Sequence, residues 1–312
     1  MTGARIGAIM RVCAPALALF LLLVIVPGTA YGQAAAAATR DAGVAVGAQY
    51  DSTHVYVAAG DLDAFVKSVN ATFGGTASKL IVTNVLSVPS STEFQYVWTP
   101  VGTMSVFAFE TPIPFPFGAE RTGYLVTDVD AAIREARAAG AEVIVEPFKD
   151  PIGRDAVIQW PGGVKMQLYW HLTAPKYAPL ETVPDNRVYV SRDVADKFVA
   201  SFMQFARGKV LTDDLHADAG EIGRAGETYR RIRIWSGFGN MRVLVTDGHL
   251  PYPFGREITG YEVRDLVATL EKAKAAGVKI LSAPYATDDK RMSAIVEFPG
   301  GYVAEIHSVA AR

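Results

Sequence analysis

Residues Pro114–Asp128 read PFPFGAERTGYLVTD, and residues Pro251–Asp265 read PYPFGREITGYEVRD. Offset by 137 positions, the two windows agree at 10 of 15 places, including Thr122-Gly123-Tyr124 against Thr259-Gly260-Tyr261 and Asp128 against Asp265. The chain is a tandem duplication, and a repeat has to be read before any single motif. Two copies offer two equivalent clefts. Positions where the copies differ then mark the cleft that keeps its chemistry.

The 312 residues correspond to two domains of about 150 residues each, in agreement with the repeat. With 50% apolar and 20% charged residues the chain buries real cores and is not disordered. A net charge of −2 without a basic stripe argues against nucleic acid as a partner. Arg5 and Arg11 flank the start of Ala14–Val26, a run of 13 uncharged apolar residues. That run falls short of the roughly 20 residues of a membrane span. Ala30-Tyr31-Gly32 follows with small residues where a signal peptidase reads. Residues 1–32 are therefore expected to be a signal peptide cleaved before Gln33, which makes the protein periplasmic or secreted, with no stable membrane association after cleavage. The competing reading is an uncleaved anchor. Cys13 is the sole cysteine and leaves with the signal, which removes disulfides, thiolate nucleophiles and zinc–cysteine sites. Residues 33–49 read as a flexible leader. Residues 174–184, with Pro175, Pro179 and Pro184, read as a linker between domains at 50–173 and 185–312.

Each half divides again. His54-Val-Tyr-Val, Gly123-Tyr-Leu-Val, Arg187-Val-Tyr-Val and Gly260-Tyr-Glu-Val each open a strand. A helix follows each one, with Asp61, Asp128, Asp193 or Asp265 as the expected N-cap and Gly74, Gly140, Gly208 or Gly277 as the stop. Strand-like runs come next: Leu80–Leu86, Phe94–Thr99 and Met104–Phe109 in the first module, and Arg230–Trp235 and Met241–Val245 in the third. Val143–Val145 and Lys279–Leu281 lead to hairpins at Pro161-Gly162-Gly163 and Pro299-Gly300-Gly301 in the second and fourth. The spacing predicts an α+β chain of four βαβββ modules.

That pattern resembles the vicinal oxygen chelate superfamily, the fold of glyoxalases, bleomycin-resistance proteins and extradiol dioxygenases. The stretches Val126–Gly140 and Asp265–Gly277, together with Asp61-Leu-Asp-Ala, look like the helix that opens a glyoxalase module. The resemblance covers about residues 50–309. It implies two glyoxalase-like domains with curved mixed sheets, each around a cleft where a divalent metal (Fe, Mn, Ni or Zn) commonly sits. The usual ligands are His on a module's first strand and Glu on its last. At the first-strand positions this chain has His54, Arg121, Arg187 and Ile258, and at the last-strand positions Phe107, Gln167, Leu244 and Glu305. His54 and Gln167 are thus the metal candidates of the first domain, fewer than the family's usual three or four. In the second, Arg187 is expected to take the metal's place beside Glu305, since a guanidinium pairs with a carboxylate in a bidentate fork.

The resemblance gives further residues a role or a bland alternative. Glu120 recurs as Glu257 and is either a general base or a carboxylate that fixes the turn. Glu305 is the second catalytic candidate. Arg121, Arg187, Phe107, Tyr169, His171 and His307 are substrate-contact candidates, since residues two apart on a strand share a face. Phe115, Phe117, Tyr252 and Phe254 are either aromatic rims or core. No nucleotide-binding glycine loop or serine-hydrolase elbow is present, so a nucleotide cofactor has no support. Two functions remain open: metal-assisted lyase or isomerase chemistry on a small oxygen-rich metabolite in the first cleft, or small-molecule binding without catalysis. Pairing of the domains within one chain or across a homodimer is also left open.

Overall fold

The computed structural model describes residues 43–84, 88–118, 121–287 and 290–309, and for Arg121 the backbone alone. The expected signal peptide and Glu120 lie outside these residues.

Four modules follow one another. The first comprises β1 (Ser52–Val57), α1 (Leu62–Phe73), β2 (Thr76–Ala77), β3 (Ile81–Thr83), β4 (Thr92–Thr99) and β5 (Gly102–Phe109). The second has β6 (Arg121–Leu125), α2 (Val129–Ala138), β7 (Glu142–Lys149), β8 (Gly153–Gln159) and β9 (Lys165–His171). The third has β10 (Asp185–Ser191), α3 (Ala195–Ala206), β11 (Lys209–Asp218), β12 (Thr228–Ser236) and β13 (Gly239–Thr246). The fourth has β14 (Ile258–Glu262), α4 (Leu266–Ala275), β15 (Lys279–Ala286), β16 (Arg291–Glu297) and β17 (Val303–Val309). The run expected at Leu80–Leu86 forms only the short β3, which pairs with β4 beside β2.

Modules one and two share a curled mixed sheet in the order β2-β4-β5-β1-β6-β9-β8-β7. Modules three and four share the other, β11-β12-β13-β10-β14-β17-β16-β15. Each sheet is joined at its centre by an antiparallel pair of first strands, β1 with β6 and β10 with β14.

Local chemistry explains the helix ends. Asp128 and Asp265 accept N–H bonds from Ala131 and Ala268, three residues on, at 2.8 and 2.9 Å, the ordinary N-cap geometry. Asp61 makes no such bond. The cap expected at Asp193 is also corrected, because Ser191 donates to its carboxylate and the helix begins two residues later, at Ala195. Gly140 and Gly277 close their helices with φ of 91° and 86°, which a residue with a Cβ adopts only with strain. At Gly208 the expectation fails, since Arg207 itself takes the left-handed turn.

The hydrophobic cores do not follow the repeat. One joins α1 residues Leu62, Phe65 and Val69 to α4 residues Leu266 and Leu270, between strands of modules one and four. The other joins Ile133 and Ala136 of α2 to Phe198, Phe202 and Phe205 of α3, between modules two and three. The cores are thus completed within one chain. Residues 43–49, read as flexible leader, are held in part: Val44 and Ala45 are buried, and Val46 donates to the Leu125 carbonyl at 3.0 Å. The linker is anchored as well, with Thr182 Oγ1 donating to the Glu262 carbonyl at 2.8 Å.

Candidate functional site

Period-two alternation splits each central strand between two environments. On β1, Thr53, Val55 and Val57 turn toward the helices, while Ser52 and His54 turn into the concave side of the sheet. The repeated Thr-Gly-Tyr obeys the same rule. Thr122 Oγ1 donates to Asn186 Oδ1 at 2.9 Å, and Asn186 Nδ2 donates to the Tyr124 hydroxyl at 2.6 Å. In mirror fashion, Thr259 and Tyr261 both lie 3.3 Å from the Thr53 hydroxyl. Thr and Tyr therefore bind the opposite half's first strand, and the Gly between them faces the cleft.

That glycine shapes the site. Ser52, Gly123 and Gln167 pair in one row across β1, β6 and β9. A Cβ on Gly123 would stand 2.8 Å from His54 Nε2. The bare glycine lets the imidazole lie over β6, on the side of the strand that carries Gln167. His54 and Gln167 are 6% and 4% exposed, so the fold invests two nearly buried polar side chains in this cleft.

The first-domain cleft holds a cavity of about 200 Å³. His54, Gln167 and Ser105 form its floor, and Phe94, Phe107 and Tyr96 one wall. Tyr169, His171 and Asp155 on β9 and β8 form the other, and Asp150 and Tyr177 complete the lining. Phe107 stacks on Tyr56 at 5.4 Å and meets His54 at 5.5 Å between ring centres. Tyr169 donates its hydroxyl to the Tyr50 carbonyl, and burial pushes its phenol well up. Burial pulls His171 down, against an opposing pull from Asp150, which favours the neutral imidazole. Phe117 packs in the aromatic cluster with Phe94 and Phe107, and Phe254 packs against Ile258 and Ile295. Phe115 and Tyr252 stand exposed.

Among the described residues, ion pairs fill the second-domain cleft. By strand register Arg187 stands where the first domain has His54, Asp185 where it has Ser52, and Glu305 where it has Gln167. Arg242 replaces Ser105 and Arg231 replaces Phe94. Arg187 Nη1 donates to Glu305 Oε2 at 2.8 Å, and Ser293 donates to Oε1 at 2.7 Å. A short turn after β11, Ala219–Ile222, pushes Glu221 into the cleft, where its carboxylate takes bonds from Arg231 at 2.6 Å and Arg242 at 2.9 Å. Its carbonyl accepts from Arg187 at 2.7 Å. Asp185 pairs with Arg291 at 2.9 Å and Arg242 at 3.1 Å. Burial alone would raise Glu305, but Arg187, His307, Arg242 and Arg291 outweigh it and hold the carboxyl well below the ordinary range.

The Arg187–Glu305 ion pair expected from the sequence is present. Glu305, Arg187 and His307 are each at most 1% exposed, so a ligand reaches none of them in this arrangement, and they form the core of an ion-pair network. Phe107, Tyr169 and His171 do line the open cleft, with His54 and Gln167. Arg121 lies beside His54 in register, by its backbone. Tyr96, Asp155 and Tyr177 in the first domain, and Glu221, Asp185, Arg231, Arg242 and Arg291 in the second, belong to the two clefts without matching the expected ligand positions. Charges at alternate positions that face inward, such as Arg231 and Arg242, were the available signal. Glu221 carries none, because an irregular turn delivers it.

The superfamily's divalent metal can be tested against the donors. The four expected positions of the first domain supply one imidazole, one neutral amide, a phenyl ring and Arg121. Among the described residues no three His, Cys, Asp or Glu side chains are grouped so that they could hold a metal ion. Octahedral Fe, Mn or Ni and tetrahedral Zn call for more anionic or imidazole donors than this. The set does not fit.

No family model and no curated protein matches the chain. Solved structures do. A mutant of 4-hydroxymandelate synthase from Streptomyces coelicolor aligns over 87% of this chain and 94% of its own, with TM-score 0.59 and 15% identity. A mutant homoprotocatechuate 2,3-dioxygenase from Brevibacterium fuscum aligns over 85% and 72%, with TM-score 0.53 and 12% identity. The 2,3-dioxygenase LapB from Pseudomonas sp. KL28 aligns over 86% and 93%, with TM-score 0.50 and 11% identity. At such identities the likeness concerns the fold and leaves the reaction to the site. The chain has the tandem two-domain fold of the vicinal oxygen chelate superfamily.

Proposed function

We propose that this is an exported protein with a single small-molecule site, the first-domain cleft, and that its function is to bind or sequester a compact metabolite. The observation that carries this reading is the contrast between equivalent clefts. One keeps a cavity of about 200 Å³ over buried His54 and Gln167, and the other is filled by ion pairs. Concave sites with an apolar wall and a few convergent polar groups are where small ligands bind. The volume lies below the roughly 300–1,000 Å³ of sites for drug-sized molecules, so the ligand is small. Export rests on the leader sequence. A second reading, lyase or isomerase chemistry on an oxygen-rich metabolite with a divalent metal, is favoured by one observation: the imidazole of His54 lies toward the strand of Gln167.

A compound screen by thermal shift on the cleaved protein tests the site, with Ser105→Phe as the occluded control. Ligands that stabilise the wild type and not Ser105→Phe support it. Stabilisation that survives in the variant overturns it. Metal analysis of the same samples decides between the readings. A stoichiometric ion lost in His54→Ala would restore the metal-assisted reading.

A further inference from the structure

We propose that Tyr96 and Tyr177 are specificity-determining residues of the first-domain cleft, a pair of phenol donors that holds the ligand through an oxygen acceptor, of which a carbonyl is the simplest case. This inference rests on the site reading above and adds the group by which the ligand is recognised.

The two phenols reach the cavity from different parts of the chain. Tyr96 lies on β4 opposite Ser105 of β5, and Ser105 lies beside His54 of β1, so the three stand in one row across the sheet. Tyr177 belongs to the connector between the halves. That segment leaves β9 with the Leu172 N–H on the Ile152 carbonyl at 2.9 Å, and it rejoins the fold with the Glu181 N–H on the Pro100 carbonyl at 2.7 Å. It therefore runs from the β8–β9 wall to the β4–β5 turn, and Tyr177 lines the cavity between the two anchors. Tyr177 packs on Tyr50 at 5.7 Å between ring centres. Tyr96 stacks on Trp98 at 5.7 Å and meets Phe94 edge-on at 4.6 Å. Both rings are held before a ligand arrives, which lowers the ordering cost of binding.

The destination of the proton separates these two from the third phenol of the cleft. Tyr169 donates its hydroxyl to the Tyr50 carbonyl. Among the described residues, no protein acceptor takes the hydroxyl of Tyr96 or of Tyr177. Burial raises both phenols, and Tyr177, Asp150 and Asp155 raise Tyr96 further, so each keeps its proton through neutral pH. A phenol donates more strongly than it accepts, because its oxygen lone pair is drawn into the ring. An acceptor oxygen on the ligand satisfies such donors, whereas an apolar molecule of the same shape displaces their water and leaves them unmatched. Sites built on hydrogen bonds reject analogues that lack the partner for this reason.

The test uses two neutral probes of one shape: acetophenone, and α-methylstyrene, in which a methylene replaces the carbonyl oxygen. Affinities are read by ligand-observed NMR on the cleaved wild type, Tyr96→Phe, Tyr177→Phe, the double Phe variant and Ser105→Phe. Thr83→Trp, at the rim of the cavity, is a second occluded variant should Ser105→Phe fail to fold. The expected result is a tenfold or greater preference for acetophenone, a drop of at least threefold in that preference in either Phe variant, its disappearance in the double variant, and loss of all binding in the occluded protein. Equal affinities, blocked by occlusion, would overturn the donor pair and leave the site intact. A preference for acetophenone that survives in the double variant would also overturn the pair, since other donors would then supply it. Binding of neither probe, or binding unaffected by occlusion, would overturn both the pair and the site.

Discussion

Arg187 and Glu305 meet at 2.8 Å with both side chains sealed from solvent, at the place where the first domain presents His54 and Gln167 to a cavity. Removal of one partner leaves an unpaired buried charge. Arg187→Ala or Glu305→Ala is expected to lose about 3–5 kcal/mol of stability. An Arg187→Met/Glu305→Leu double variant should lose less than the sum of the two single losses. Urea unfolding of the three proteins checks this.

Acid should dissolve the same network. Asp185 and Glu305 are both held below their ordinary values: burial would raise each, and the surrounding arginines outweigh it. A carboxyl depressed in the folded state contributes stability that is full above its unfolded pKa of about 4. That contribution is lost as pH falls from there through the folded value. The unfolding midpoint should therefore fall steeply below about pH 4, and the steep part should vanish when both carboxyls are replaced in a folded variant.

Gly123→Ala places a methyl 2.8 Å from His54 Nε2. The ring can turn aside, so the stability loss is expected at about 1 kcal/mol, the low end for overpacking. Ligand affinity should fall more than stability. His54→Ala in the Gly123→Ala background should recover the stability and not the affinity, as thermal melts and ligand titration would show.

Tyr124→Phe and Tyr261→Phe should each cost about 1 kcal/mol, because each removes a hydroxyl bonded to a first strand of the opposite half. Similar losses in chemical denaturation would confirm that the repeated motif is a joint. A loss of ligand binding without destabilisation would contradict it.

Much of this was written in the residues. The Thr-Gly-Tyr repeat, the capping aspartates Asp128 and Asp265 and the closing glycines Gly140 and Gly277 act through local backbone geometry, so the modules were legible. The inequality of the clefts was legible too, from His54 against Arg187 and Gln167 against Glu305. What escaped depended on distant chain segments. Glu221 arrives on an irregular turn, Tyr177 comes from a proline-rich connector, and Asp155 is an ordinary polar strand residue until Tyr169 is seen opposite it. Asp193 failed as a cap because Ser191 competes for its carboxylate, a contest that residue preference alone does not decide.

The crossed pairing of helices, α1 with α4 and α2 with α3, has a consequence for how the molecule comes apart. Severing the chain between residues 174 and 184 would separate two sheets, yet each fragment would carry away helices whose apolar sides belong against the other. The cooperative unit is therefore the entire tandem. An isolated half would expose those apolar helix faces to solvent.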